Sequence, residues 1–265
     1  HDDDVAVMRI LFSLKRIGLA LGLLLWLAVP TQAATALVVG SNSRCNAAAG
    51  DPQTCAQAQN VVGGNTIVFY VAWLSNVVTL DTVTTNCGGT VVVKDNPTTL
   101  GVVQRGAHGY VYNVSTGACT LTYDFSASAA FHAGQAEVSG VPTTDPIDGT
   151  SVCSPQTNPG TGTDAVTSTT TTPAANGAFI WGGTADMSNG GTINVGTNFT
   201  SVSFGDTLQG SLRTEYLIQG AAAAIAATFT NTSAGQDNIS CVLALKEAGG
   251  GAASKDSMGL MGVIR

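Results

Sequence analysis

Glu137 and Glu215 are the residues of this chain best suited to acid–base chemistry. They are the only glutamates before Glu247, and both fall in segments whose alternation predicts strands, Ala136-Glu137-Val138 and Thr214-Glu215-Tyr216. Two carboxylates about 5–10 Å apart across a cleft are what glycoside hydrolysis requires, one as acid and the other as base or nucleophile. The rest of such a site is sparse. Carbohydrate clefts line up aromatic and acidic side chains, whereas Trp73 and Trp181 lie in apolar runs that predict core. A buried glutamate bonded to backbone or to Arg213 is the simpler role for either residue.

The other reactive groups are few. Asp145, Asp148 and the carbonyls around Gly149, with Asp164 further on, form an oxygen-rich loop that calcium would favour. A hard cation takes about six to eight oxygens; the D-x-D-x-D-G order is missing, and Asp-Pro and Asp-Gly pairs make turns for backbone reasons alone. His108, between Gly106-Ala107 and Gly109, reads as lying in or beside a turn, and His132 as starting a strand. Both histidines are expected to be exposed or half-buried polar residues. Serines are plentiful, but the G-x-S-x-G elbow of hydrolases is missing, and nothing resembles a cofactor loop. No metal or cofactor is expected.

Six cysteines stand at 45, 55, 87, 119, 153 and 241. There is no C-x-x-C and no histidine near a cysteine pair, so zinc spacing fails. An even count favours disulfides in an exported chain, with many connectivities open. Cys45 and Cys55 flank a short polar loop and can close it locally; 87–119 and 153–241 complete the working assignment.

The elements that must position these groups are strands. Cys119, Leu121, Tyr123 and Phe125 alternate with Thr120, Thr122 and Asp124, and Ile239, Cys241, Leu243 and Leu245 repeat the pattern near the end. Period-two alternation of this kind marks half-buried strands. Thr66–Leu74 is apolar throughout after its first residue, which suits a central strand covered on both faces. Turn signals such as Gly63-Gly64-Asn65 and Asn86-Cys87-Gly88-Gly89 recur at short intervals. The fold class is therefore all-β, a single jelly-roll or immunoglobulin-like sandwich of about a dozen antiparallel strands. Val141–Pro173 reads as a long loop, and Gly220–Ala227 as a loop running into a strand.

Met8–Ala36 has the order of a secretory signal: Arg9, Lys15 and Arg16, then the thirteen-residue apolar run Ile17–Val29, then Pro30 and small residues. A spanning helix needs about 20 apolar residues, so a cleaved signal is expected in place of an anchor, with cleavage after Ala33 or Ala36. Residues 1–7 read as a non-native leader, so the metal-like run His1-Asp2-Asp3-Asp4 is set aside. The sandwich is assigned to 37–248, and 249–265 to a flexible glycine-rich tail. From residue 37 onward, seven basic residues face fourteen acids, a net charge of 7 − 14 = −7. Nucleic acids and anionic membranes are held by clustered Lys and Arg, and no such cluster exists there. The N-x-S/T triplets at Asn113, Asn198, Asn231 and Asn238 matter only in a eukaryotic secretory pathway.

The sequence order is a buried Trp-containing strand (Val68–Trp73), a Thr/Val hairpin (Thr79–Val93) and a Thr-rich strand (Cys119–Phe125). Ala136–Gly140, the loop Thr144–Thr150, Thr214-Glu215-Tyr216 and a closing Val242–Lys246 follow. It resembles a broad group of exported β-sandwich proteins of bacteria and phages. The resemblance implies a surface, adhesive or fibre role and carries no shared catalytic set. The expected function is non-enzymatic: a surface or fibre component, or a module binding an extracellular glycan or protein, secreted, periplasmic or on the cell surface and capable of self-association. The alternative is a secreted carbohydrate-active hydrolase using Glu137 and Glu215.

Overall fold

The protein was analysed as a computed structural model, which describes residues 33–94, 104–156, 164–187, 191–207, 210–232 and 237–249. Most of the expected signal segment, the leader before it and nearly all of the tail lie outside these residues. The regular elements among the described residues are all strands, and no helix among them is long and apolar enough to cross a membrane. The first half contributes β1 (Ala36–Leu37), β2 (Ser43–Ala47), β3 (Gln53–Ala56), β4 (Thr66–Trp73), β5 (Leu80–Thr85), β6 (Thr90–Lys94), β7 (Arg105–Tyr112), β8 (Thr120–Phe125) and β9 (Phe131–Ser139). The second contributes β10 (Val152–Gln156), β11 (Asp164–Thr167), β12 (Ala178–Asp186), β13 (Ile193–Val195), β14 (Thr200–Thr207), β15 (Gly210–Gln219), β16 (Thr228–Asn231) and β17 (Asn238–Leu245).

These strands make four antiparallel sheets. Two are large, β1-β9-β4-β7-β6 with β2 also on β9, and β10-β17-β12-β15-β14; two are small, β3-β8-β5 and β11-β16-β13. Their stacking follows from the side chains they bury. Along β4, Ile67, Phe69, Val71 and Trp73 pack with Leu121, Tyr123 and Phe125 of the first small sheet. The alternate residue Val68 packs with Phe179, Trp181 and Leu243 of the second large sheet, and Tyr70 and Ala72 with Ala185, Leu212 and Ile239. On the far side of that sheet, Ile180, Val242 and Ala244 pack with Val166, Ile193 and Phe229 of the second small sheet. The four sheets are thus stacked in the order small, large, large, small. The fully buried burial patterns of β4, β12 and β17 are what strands inside such a stack require.

The two halves share one topology. Replacing β1, β9, β4, β7 and β6 by β10, β17, β12, β15 and β14 converts one large sheet into the other, and replacing β3, β8 and β5 by β11, β16 and β13 does the same for the small sheets. Among the described residues only β2 has no counterpart. The contacts between the large sheets obey the same exchange: β4 meets β12, β9 meets β15, and β7 meets β17. That reciprocity is the signature of an isologous, two-fold interface, here inside one chain. Each half is an eight-stranded sandwich, with β2 added to the first, so two sandwiches stand where a single one is expected.

Seventeen strands among the described residues exceed the expected dozen because several are too short to show alternation, such as Ile193–Val195 with three residues. The expected loop Val141–Pro173 contains β10 and β11. Their proline- and threonine-rich sequences become strands by pairing, Cys153 opposite Cys241 and Val166 opposite Phe229. At the other boundary, β1 begins at Ala36, the last residue of the segment expected to be the signal.

Candidate functional site

Each candidate group is held by a specific element. Glu137 lies in β9 with no solvent exposure. Its Oε1 accepts from the Val62 amide at 2.8 Å and from Asn65 Nδ2 at 2.6 Å, which pins the turn entering β4. Its Oε2 is buried without a hydrogen-bond partner. The side chain therefore points into the first sandwich, away from the two-fold interface.

Glu215 lies in β15, also fully buried. Oε2 accepts from the Gly196 amide at 2.9 Å and Oε1 from the Thr228 amide at 3.0 Å. Burial pushes its pKa up to about 8, against the lowering effect of those two amides. This carboxylate ties the end of β13 and the start of β16 to the large sheet. It points into the second sandwich.

The two glutamates thus occupy the outer faces of the two central layers. Stacked sheets lie about 10 Å apart, and here two sheets stand between the carboxylates. The cleft that the hydrolase alternative requires is not formed by these residues: each carboxylate is enclosed, bonded to amides and separated from the other by protein. Arg213, considered as a partner for Glu215, donates through Nε to the Ile193 carbonyl at 2.6 Å.

The calcium candidates diverge in the same manner. Asp148 is buried and accepts the Ala174 amide on Oδ1 at 2.8 Å and the Ala175 amide on Oδ2 at 3.4 Å. Asp145 is exposed and pairs with Lys246 at 2.9 Å. One carboxylate braces a loop and the other makes a surface ion pair, so the two do not form a shared oxygen cage.

His108 departs from expectation. It lies within β7, opposite Tyr70 and Lys94, and is fully buried. The flanking glycines that suggest a turn are strand residues, serving close packing. Its Nε2 shares a hydrogen bond of 2.8 Å with Ser151 Oγ, and Nδ1 has no partner. Burial, with the Lys94 charge behind it, lowers its pKa to about 3. His132, at the start of β9, is likewise buried, with neither ring nitrogen bonded; burial and then Arg44 lower its pKa to about 4. Both rings are neutral at physiological pH.

A His/Cys cluster does exist: ligand atoms of His108, Cys153 and Cys241 lie within 4.8 Å of one another. Its sulfurs are joined as a disulfide, however, and metals bind thiolates. The three disulfides are Cys45–Cys55, Cys87–Cys119 and Cys153–Cys241, the pairs of the working assignment. The first joins β2 to β3 and so links a large sheet to its small partner. The third joins β10 to β17.

Ser151 and Asn65, which complete the surroundings of His108 and Glu137, escape a reading of the sequence. They lie 43 and 72 residues from their partners, with no local pattern to announce them.

No protein-family model matches the chain, and no curated protein matches it. Among solved structures, the major capsid protein P2 from bacteriophage PM2 aligns over 78% of this chain and 97% of its own, with 10% identity and a TM-score of 0.25. An anti-sigma factor domain-containing protein aligns over 78% and 83%, with 11% identity and a TM-score of 0.18. Oxalate decarboxylase from Bacillus subtilis aligns over 82% and 77%, with 7% identity and a TM-score of 0.18. At such scores the architecture rests on the strand pairings themselves.

Proposed function

We propose that this chain is an exported, non-enzymatic structural protein, a component of an extracellular surface or fibre. The observation that carries the reading is the use made of its reactive groups. Glu137, Glu215 and Asp148 are buried and accept hydrogen bonds from backbone amides or a neighbouring amide side chain. Catalytic carboxylates must instead reach substrate. Three disulfides fit an oxidising compartment, and the signal-like leader and the likeness to exported β-sandwich proteins point the same way.

The test is to recover the exported protein and follow its mass by light scattering over a concentration series, beside a glycan array. Concentration-dependent assembly with a silent array supports a structural subunit. A protein that stays monomeric and lights specific glycans is a binding module, and turnover of any glycan restores the hydrolase. Either result overturns the proposal.

A further inference from the structure

We infer that the exported chain is processed between Ala33 and Ala34, so that the mature fold begins at Ala34. This rests on the export reading and assigns its processing site. Two sites fit the small-residue rule of signal cleavage: the bond after Thr31-Gln32-Ala33 and the bond after Ala34-Thr35-Ala36. The second is the closer match to A-x-A, and the structure argues against it.

Cleavage after Ala36 removes residues that the fold uses. Thr35 is only 2% exposed, and its hydroxyl donates to the Gly177 carbonyl at 2.7 Å. That bond ties the first residues of the first sandwich to the entry of β12 in the second. Ala36 is a rung of β1, opposite Ser139, with Leu37 opposite Val138. By contrast Ala33 and Ala34 are both exposed.

The order of events does not alter the outcome. A peptidase binds an extended, unpaired stretch of chain. If folding comes first, the Ala36–Leu37 bond is locked in the ladder, while Ala33 and Ala34 stay exposed. If cleavage comes first, only the Ala33–Ala34 cut leaves Thr35 and the whole of β1 on the mature product. The reaction is a hydrolysis: water adds to the Ala33 carbonyl, the C–N bond breaks, and Ala34 leaves as a free amine while the leader keeps the carboxylate. The host's signal peptidase supplies the catalytic groups.

The experiment is expression of the full chain in an exporting bacterial host, then N-terminal sequencing and intact mass of the exported fraction. An amino terminus at Ala34 is expected, and Ala33→Leu, which puts a large residue before the bond, should reduce processing at least tenfold. Exported protein beginning at Leu37, or normal cleavage of Ala33→Leu, overturns the assigned site and leaves export standing. Uncleaved chain retained in the cytoplasm overturns both.

Discussion

The ring of Tyr70 fills the space where any side chain on Gly183 would stand, and its hydroxyl donates to the Ile239 carbonyl at 2.7 Å. One residue of β4 thereby fixes both β12 and β17 across the two-fold interface. The approach is possible because Gly183 has no Cβ. Gly183→Ala should therefore force the central layers apart and cost about 1–3 kcal/mol or more, the range for overpacked cores. Gly220→Ala, where the added methyl meets nothing within 4 Å, serves as the control. Urea unfolding of both variants checks this, and equal midpoints would dissolve the claim that the two halves close on that contact.

Tyr70→Phe separates the hydroxyl from the ring. The ring packing survives, but the buried Ile239 carbonyl loses its Tyr70 donor. The expected cost is about 1–2 kcal/mol, the net value of a buried hydrogen bond plus part of the desolvation it offsets. A variant as stable as the parent would mean that the hydroxyl contributes nothing to the interface.

The legibility of this contact in the sequence is instructive. The all-apolar run through Trp73 announces a strand buried on both faces, because only an interior layer can hide both sides of a strand. What lies on each face cannot be read there, since Tyr70 and Gly183 are 113 positions apart (183 − 70). The duplication escapes for a related reason. Topological equivalence survives in strand order, while β4 reads TIVFYVAW and β12 reads AFIWGGTAD, which share too little for periodicity to link them. The glutamates were legible as strand residues, but their opposite facing depends on the layer order. His108 reads as a turn residue because Gly106 and Gly109 look like turn glycines, whereas in the fold they make room for neighbours: a Cβ at Gly109 would strike Phe69 and the Val92 carbonyl.

Stability should peak near neutral pH, and the sign follows from three buried groups. Glu215 has its pKa raised from 4.5 to about 8, so the folded state binds the extra proton in that window and stability falls as pH rises through it. His108 and His132 have theirs lowered from 6.5 to about 3 and about 4, so the unfolded state binds the protons and stability is lost as pH falls below 6.5. Below 6.5 the two histidines outweigh the glutamate; above it the glutamate acts alone, with a slope of up to about 1.4 kcal/mol per pH unit. Urea midpoints from pH 4 to 9 should rise and then fall. A monotonic curve between pH 5 and 8 would contradict this assignment.

The disulfides should rank by the chain they close. Sequence separations are 88 for Cys153–Cys241, 32 for Cys87–Cys119 and 10 for Cys45–Cys55. Loop-closure entropy gives about 4–5, 3–4 and 2–3 kcal/mol respectively. Paired Cys→Ser variants, unfolded in urea, should lose stability in that order. Intact mass with and without reductant should first show two hydrogens gained per bond; no gain would remove both the pairings and the argument for an oxidising compartment.

Glu137 and Glu215 should respond differently to the same conservative change. Glu137 uses one oxygen for two donors, Val62 N and Asn65 Nδ2, while its other oxygen has no partner. Glu137→Gln can keep both bonds on its carbonyl oxygen and turn its amide toward the unpartnered side, so it should cost less than about 1 kcal/mol. Glu215 gives one oxygen to each of two amides. Glu215→Gln must present an NH₂ to one of those N–H groups, leaving a buried donor unmet at about 1–3 kcal/mol, while abolishing the fall in stability between pH 6.5 and 8. Measured at pH 4.5, where the raised pKa of Glu215 no longer favours its replacement, the glutamine at 137 should be tolerated and that at 215 should not. Equal losses would show that the oxygens are not used as the hydrogen bonds place them, and would weaken the view of both glutamates as internal struts.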